Sequence, residues 1–84
     1  MHSKHLKTLK AIFAEPVNGN LEWRKIEALF IALGAEKDEC KGSAITFFLH
    51  GKRIDFHRPH PNKEALRYRV KAAREFLKAA GVRL

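Results

Sequence analysis

The stretch ITFFLHGKRIDFH, residues 45–57, constrains the fold more than any other part of the chain. It is dense in β-branched and aromatic residues, and the pair His50-Gly51 interrupts it, the pattern of two strands joined by a two-residue turn. Side chains alternate across a strand. Ile45, Phe47 and Leu49 therefore share one face of the first strand, and Ala44, Thr46, Phe48 and His50 the other. In the second strand Ile54 and Phe56 fall together, and Arg53, Asp55 and His57 oppose them. A turn at 50–51 pairs Leu49 with Lys52, which sets Phe47 against Ile54 and Ile45 against Phe56. Both pairs are apolar, and a one-residue slip would set Phe47 against charge. The same register puts Phe48 opposite Arg53, Thr46 opposite Asp55 and Ala44 opposite His57 on the outer face. Opposing Cβ atoms there stand about 4.5–5.5 Å apart. Asp55, two residues before His57 on that face, is expected to hold the imidazole and favour its protonated form.

Helical spacing accounts for most of the rest. Ser3 is suited to cap a first helix whose apolar face is Leu6, Leu9, Ile12 and Phe13, and Pro16 with the turn PVNGN ends it. Trp23, Ile26, Leu29, Phe30 and Leu33 recur at the period of a second helix, closed by Gly34. Residues 35–40, AEKDEC, read as an edge strand. A last helix runs from the region of Lys63–Leu66 to Ala80, with Val70, Ala73, Phe76, Leu77 and Ala80 inward and Gly81 beyond its end. Its other face carries Arg67, Arg69, Lys71, Arg74 and Lys78. The order helix, helix, three strands, helix predicts an α+β sandwich of two layers, a three-stranded antiparallel sheet with helices on one face. With 84 residues the chain is one domain, 1–84, with a single modest core.

Net charge is +8, and it is not spread evenly. Residues 1–40 hold six Lys/Arg against six Asp/Glu; residues 41–84 hold eleven against three. A one-sided basic surface is the footprint expected for a polyanion, nucleic acid foremost. The lone Cys40 excludes an internal disulfide and a cysteine zinc site and suits a reducing, cytoplasmic setting. No apolar run reaches the ~20 residues of a membrane span, and MHSKHLKTLK lacks the apolar core of a signal peptide. His57 and His60 have a metal-like spacing, yet a zinc site wants further ligands that the sequence does not provide.

The hairpin KGSAITFFLHGKRIDF, the order of elements and the basic last helix ending in AAGV resemble the HicA family over roughly residues 21–84. The FHRPHP tail of the hairpin and the leading helix, residues 1–16, resemble a longer branch of it. HicA proteins are toxins of type II toxin–antitoxin systems with a fold like double-stranded-RNA-binding domains. The resemblance implies a metal-independent, cofactor-free endoribonuclease acting on mRNA and neutralised by a HicB-type antitoxin. In family members a histidine directly follows the Gly-Ser pair and is catalytic, whereas here Gly42-Ser43 precedes Ala44. Either this copy is inactive, or its imidazole sits elsewhere.

His57, straight across the ladder from position 44, is the candidate replacement, with His60 second. Cleavage through the ribose needs a base for the 2′-OH, an acid for the leaving 5′-oxygen and cations around phosphorus. Lys41, Arg53 and Arg58 are the cations nearest in sequence. Ser43, Phe48 and Lys52 are further candidates for RNA contact, Phe48 through stacking on a base. Arg67, Tyr68, Arg69 and Lys71 are placed to track phosphates. Each assignment has a plainer alternative. A histidine beside proline is often a hydrogen-bonding turn residue, Phe48 equally suits a protein interface, and a charge run equally suits a solvated helix face. A non-catalytic RNA-binding module, or a subunit that meets an acidic partner, therefore stays open beside the enzyme.

Overall fold

The computed structural model describes residues 3–39, 44–57 and 64–84. The elements are α1 (Ser3–Phe13), α2 (Trp23–Ala32), β1 (Glu36–Glu39), β2 (Ala44–Leu49), β3 (Lys52–His57) and α3 (Arg67–Ala79). The strands form one antiparallel sheet in the order β1-β2-β3. The architecture is the expected α+β one, consistent with a double-stranded-RNA-binding-domain-like fold. No described helix is long and apolar enough to cross a membrane.

The hairpin adopts the register its alternation dictates. Ala44 faces His57, Ile45 faces Phe56, Thr46 faces Asp55, Phe47 faces Ile54, Phe48 faces Arg53 and Leu49 faces Lys52. His50 and Gly51 have φ of 49° and 78°, the two positive values of a type I′ turn whose twist suits a hairpin. The turn is tied down because His50 Nδ1–H donates to the carbonyl of Ala80 at 2.8 Å. β1 pairs with β2, setting Glu36 against Phe48 and Asp38 against Thr46. All four β1 residues are exposed, and such a short charged edge discourages pairing with other chains.

Ile45, Phe47, Leu49 and Phe56 pack against Trp23, Ile26, Leu29 and Phe30 of α2 and Val70, Ala73, Phe76 and Leu77 of α3. Aromatic rings knit the layers together. Phe30 lies 4.9 Å from Phe47 and 5.3 Å from Phe76, and Trp23 lies 4.7 Å from Phe56. Tilted and edge-on pairs of this kind add to the stabilisation from burial alone. α1 packs against α2 and α3, burying Leu9 and Ile12.

Four local expectations change. Ser3 is already helical rather than a cap. Leu6 is exposed and Thr8 buried in its place. At 3.6 residues per turn Leu6 falls off the arc centred on Thr8, Leu9 and Ile12, and the Thr8 hydroxyl is satisfied by the Lys4 carbonyl at 3.1 Å. α3 begins at Arg67, later than Lys63–Leu66, because residues 64–66 run beside the PVNGN turn. Ala65 N–H donates to Leu21 and Leu66 N–H to Gly19, and Leu66 sits at φ 70°, outside helical space. This pass is close: a Cβ at Gly19 would stand 3.0 Å from Arg67 Cγ. Last, Arg74 leaves the basic face. Its side chain is only 12% exposed. Nε donates to Ile12 O at 2.9 Å, Nη2 to Ala14 O at 2.7 Å, and Nη1 to the Glu15 carboxylate. Those carbonyls are the ones a helix leaves unpaired at its C-terminus, so Arg74 anchors the end of α1.

Candidate functional site

Of the sequence-predicted site residues, His57, Phe48, Lys52, Arg53, Arg67, Arg69 and Lys71 are described; Lys41, Ser43, Arg58 and His60 lie outside the described residues, as does most of the FHRPHP tail. His57 is exposed at the end of β3, directly across from half-buried Ala44. Ladder hydrogen bonds alternate along an antiparallel pair, and the pair flanking a two-residue turn is a bonded one. Counting from Leu49–Lys52, the Ala44–His57 pair is non-bonded, the kind in which side chains stand closer. Imidazole and methyl therefore project together from the outer face.

The outer face is not uniformly basic. Glu36 and Asp38 of β1 lie beside Phe48 and Thr46, and Arg53, Asp55 and His57 line the far side. Asp55 does not serve His57 as expected. Its Oδ1 accepts from the Thr46 hydroxyl at 2.6 Å, and its two oxygens accept from Arg53 at 3.3 and 3.4 Å. The Thr46 hydrogen bond holds the Asp55 carboxyl below its usual range; burial, next in size, opposes it, and Arg53 adds smaller lowering effects through its hydrogen bond and charge. The carboxylate orients Arg53 instead, while Thr46 is 7% exposed, a buried hydroxyl with its bond made. Lys52 pairs with Leu49 and so belongs to the other face, away from Phe48, Arg53 and His57.

Among the described residues β3 is the outer strand of the sheet at His57. The alternation that makes Ala44–His57 non-bonded turns the backbone groups of Arg53, Asp55 and His57 off the outer edge of β3. Arg69 meets this edge: its Nε donates to His57 O at 2.8 Å and Nη1 to Ala65 O at 3.4 Å. The same guanidinium stands 4.6 Å from the centroid of the Tyr68 ring, within cation–π range. A groove of about 230 Å³ lies between edge and helix, lined by Ile54, Asp55, Phe56, His57, Tyr68, Arg69 and Ala72. Arg67 and Lys71 are exposed on the same helix. Arg69 thus links two features that are distant in sequence, the histidine and the basic helix. In the sequence Tyr68 is one member of a basic run, and its signal is an aromatic between two arginines at a helix start.

A larger groove of about 570 Å³ separates α1 from α2, and none of the predicted site residues lines it. Among the described residues no group of three or more His, Cys, Asp or Glu is placed to hold a metal ion.

A family model described as HicA toxin of bacterial toxin-antitoxin matches residues 23–82. The match takes in α2, the sheet and α3, and α1 precedes it. Neither a curated protein nor a solved structure matches the chain.

Proposed function

This chain belongs to the HicA toxin family, toxins that work with an antitoxin partner, and on that premise we propose that it is a cytoplasmic endoribonuclease that cuts mRNA and is held in check by a HicB-type antitoxin. The observation that carries the reading is the pairing of Ala44 with His57 on the outer face. The resemblance puts a catalytic histidine at position 44, and an imidazole at 57 reaches the same space over a methyl that leaves it room.

In the proposed reaction a neutral imidazole takes the proton of the ribose 2′-OH as that oxygen bonds to phosphorus. The P–O5′ bond breaks, and a protonated imidazole gives its proton to the departing 5′-oxygen. His57 is assigned one of these roles and His60 the other, and no metal or cofactor enters. Arg53, oriented by Asp55, and Arg69, bonded to the His57 carbonyl, supply positive charge for the phosphorane-like transition state. The test is RNA cleavage by purified wild type, His57→Ala and His60→Ala. Loss of cutting in both is expected; undiminished cutting in both refutes the assignment.

A second reading rests on Ala44 itself. A copy without the family's histidine, and without transfer of its role to His57, would bind RNA or its acidic antitoxin and cut nothing. Steeply salt-dependent RNA binding without cleavage distinguishes that module.

A further inference from the structure

We propose that the groove between the outer edge of β3 and the first turns of α3 binds one unpaired base of single-stranded RNA, stacked on Tyr68. The inference deepens the reading of this protein as one that meets RNA, and it needs no assumption about which group cuts it.

Two exposed aromatics are candidates for stacking, and charge separates them. Phe48, 41% exposed, has Glu36 across from it on β1 and Asp38 one pair along that face, and the cation across from it on β3, Arg53, is already paired with Asp55. A phosphate following a base stacked there would meet carboxylates. Tyr68 is 62% exposed and stands between Arg67 and Arg69, with Lys71 on the next turn. A backbone that delivers a base to Tyr68 meets cations on either side, the combination of aromatic platform and positive track by which single strands are held.

The groove also has the makings of a base site rather than a bare platform. Its floor is apolar, from Ile54, Phe56 and Ala72, and at about 230 Å³ it suits one flat heterocycle and not a duplex. Arg69 covers one side of the Tyr68 ring at 4.6 Å and is held there by the carbonyls of His57 and Ala65. A fixed guanidinium loses little freedom when a ligand arrives. The Asp55 backbone N–H and C=O point off the edge toward this space, and no described residue pairs with them. They offer one donor and one acceptor to a base edge. A base held there places its sugar and phosphate beside His57, which lines the same groove.

The test measures binding by fluorescence anisotropy, using the full-length protein and a labelled single-stranded oligoribonucleotide of mixed sequence with 2′-O-methyl sugars. Such a strand cannot be cut through the 2′-oxygen, so binding is read apart from catalysis. Tyr68→Ala is expected to weaken binding about tenfold or more, the scale of one lost base–aromatic stack. Tyr68→Phe, which keeps the ring, and Phe48→Ala are both expected to stay within about threefold of wild type by the same reasoning. The matching duplex is expected to bind more weakly than the single strand. Wild-type binding that Tyr68→Ala leaves unchanged, or that Phe48→Ala abolishes instead, overturns the base site alone. Loss of antitoxin affinity but not RNA affinity in Tyr68→Ala also overturns it, reassigning the groove to a protein. No RNA affinity in wild type overturns both this inference and the reading beneath it.

Discussion

Replacing Arg74 by methionine keeps the apolar stem and deletes a guanidinium that holds two carbonyls at the end of α1 and the Glu15 carboxylate. Glu15 is 72% exposed, and an ion pair to so open a carboxylate contributes about 0–1 kcal/mol. The carbonyl bonds count for more, because the donor is charged and its side chain only 12% exposed. Hydrogen bonds to charged groups are worth about 1.5–3 kcal/mol each. Water replaces the bond to exposed Ala14 more easily than the bond to buried Ile12, so the total is roughly 2–4 kcal/mol, with the Ile12 bond the larger part. In a domain this small each kcal/mol moves the melting temperature by about 4–8 °C, so Arg74→Met should lower it by roughly 10–30 °C. Amide hydrogen exchange supplies the second readout. Protection of Leu9 and Ile12 in α1 should fall more than that of Phe47 in the centre of the sheet. A shift below about 3 °C, far under the value that scaling gives, together with unchanged α1 protection, would refute the anchoring role.

Three further outcomes follow from particular contacts. Thr46→Val removes the main cause of the lowered Asp55 pKa. A carboxyl with a depressed folded pKa contributes stability that is present above its unfolded value, near 3.8, and lost as pH falls through the folded one. Carbon-detected NMR titration should therefore show Asp55 moving up toward 3.8 in the variant, and the acid limb of a stability–pH curve should lose part of its slope. An unchanged midpoint contradicts the assigned cause. His50→Ala frees the turn from Ala80 O and should cost about 1 kcal/mol in urea unfolding, with no effect on RNA binding. Phe30→Ala deletes a fully buried ring that meets Phe47, Phe56 and Phe76. The expected loss of about 3–5 kcal/mol rivals the whole stability of a domain this size, so the variant should be largely unfolded by circular dichroism at 37 °C.

How far the sequence revealed the molecule depended on the range of the interaction. The hairpin was legible to the residue because a period of two, an apolar pair on either side of the turn and His50-Gly51 all select one register. The bodies of α2 and α3 were legible from their apolar spacing. Contacts between segments far apart in the chain were not. Nothing local in Arg74 distinguishes it from Arg67 or Lys71 on the same helix; only the docking of α1 against α3 turns it inward. The late start of α3 has the same origin, since residues 64–66 spend their N–H groups on Gly19 and Leu21. The acidic row on the outer face could not be seen until β1 had a register against β2. Spacing alone points Asp55 at His57, but its carboxylate accepts from the cross-strand hydroxyl of Thr46 instead.

The pairing of positions 44 and 57 also allows the imidazole to be moved back across the ladder, which tests the transplanted centre most directly. RNA integrity would be read in cells expressing wild type, His57→Ala, or His57→Ala combined with Ala44→His, each without antitoxin. Transcripts should be cut by wild type, spared by the single variant and cut again by the double variant. Cutting by His57→Ala at the wild-type rate, or by no form except one carrying Ala44→His, would contradict a catalytic histidine at position 57.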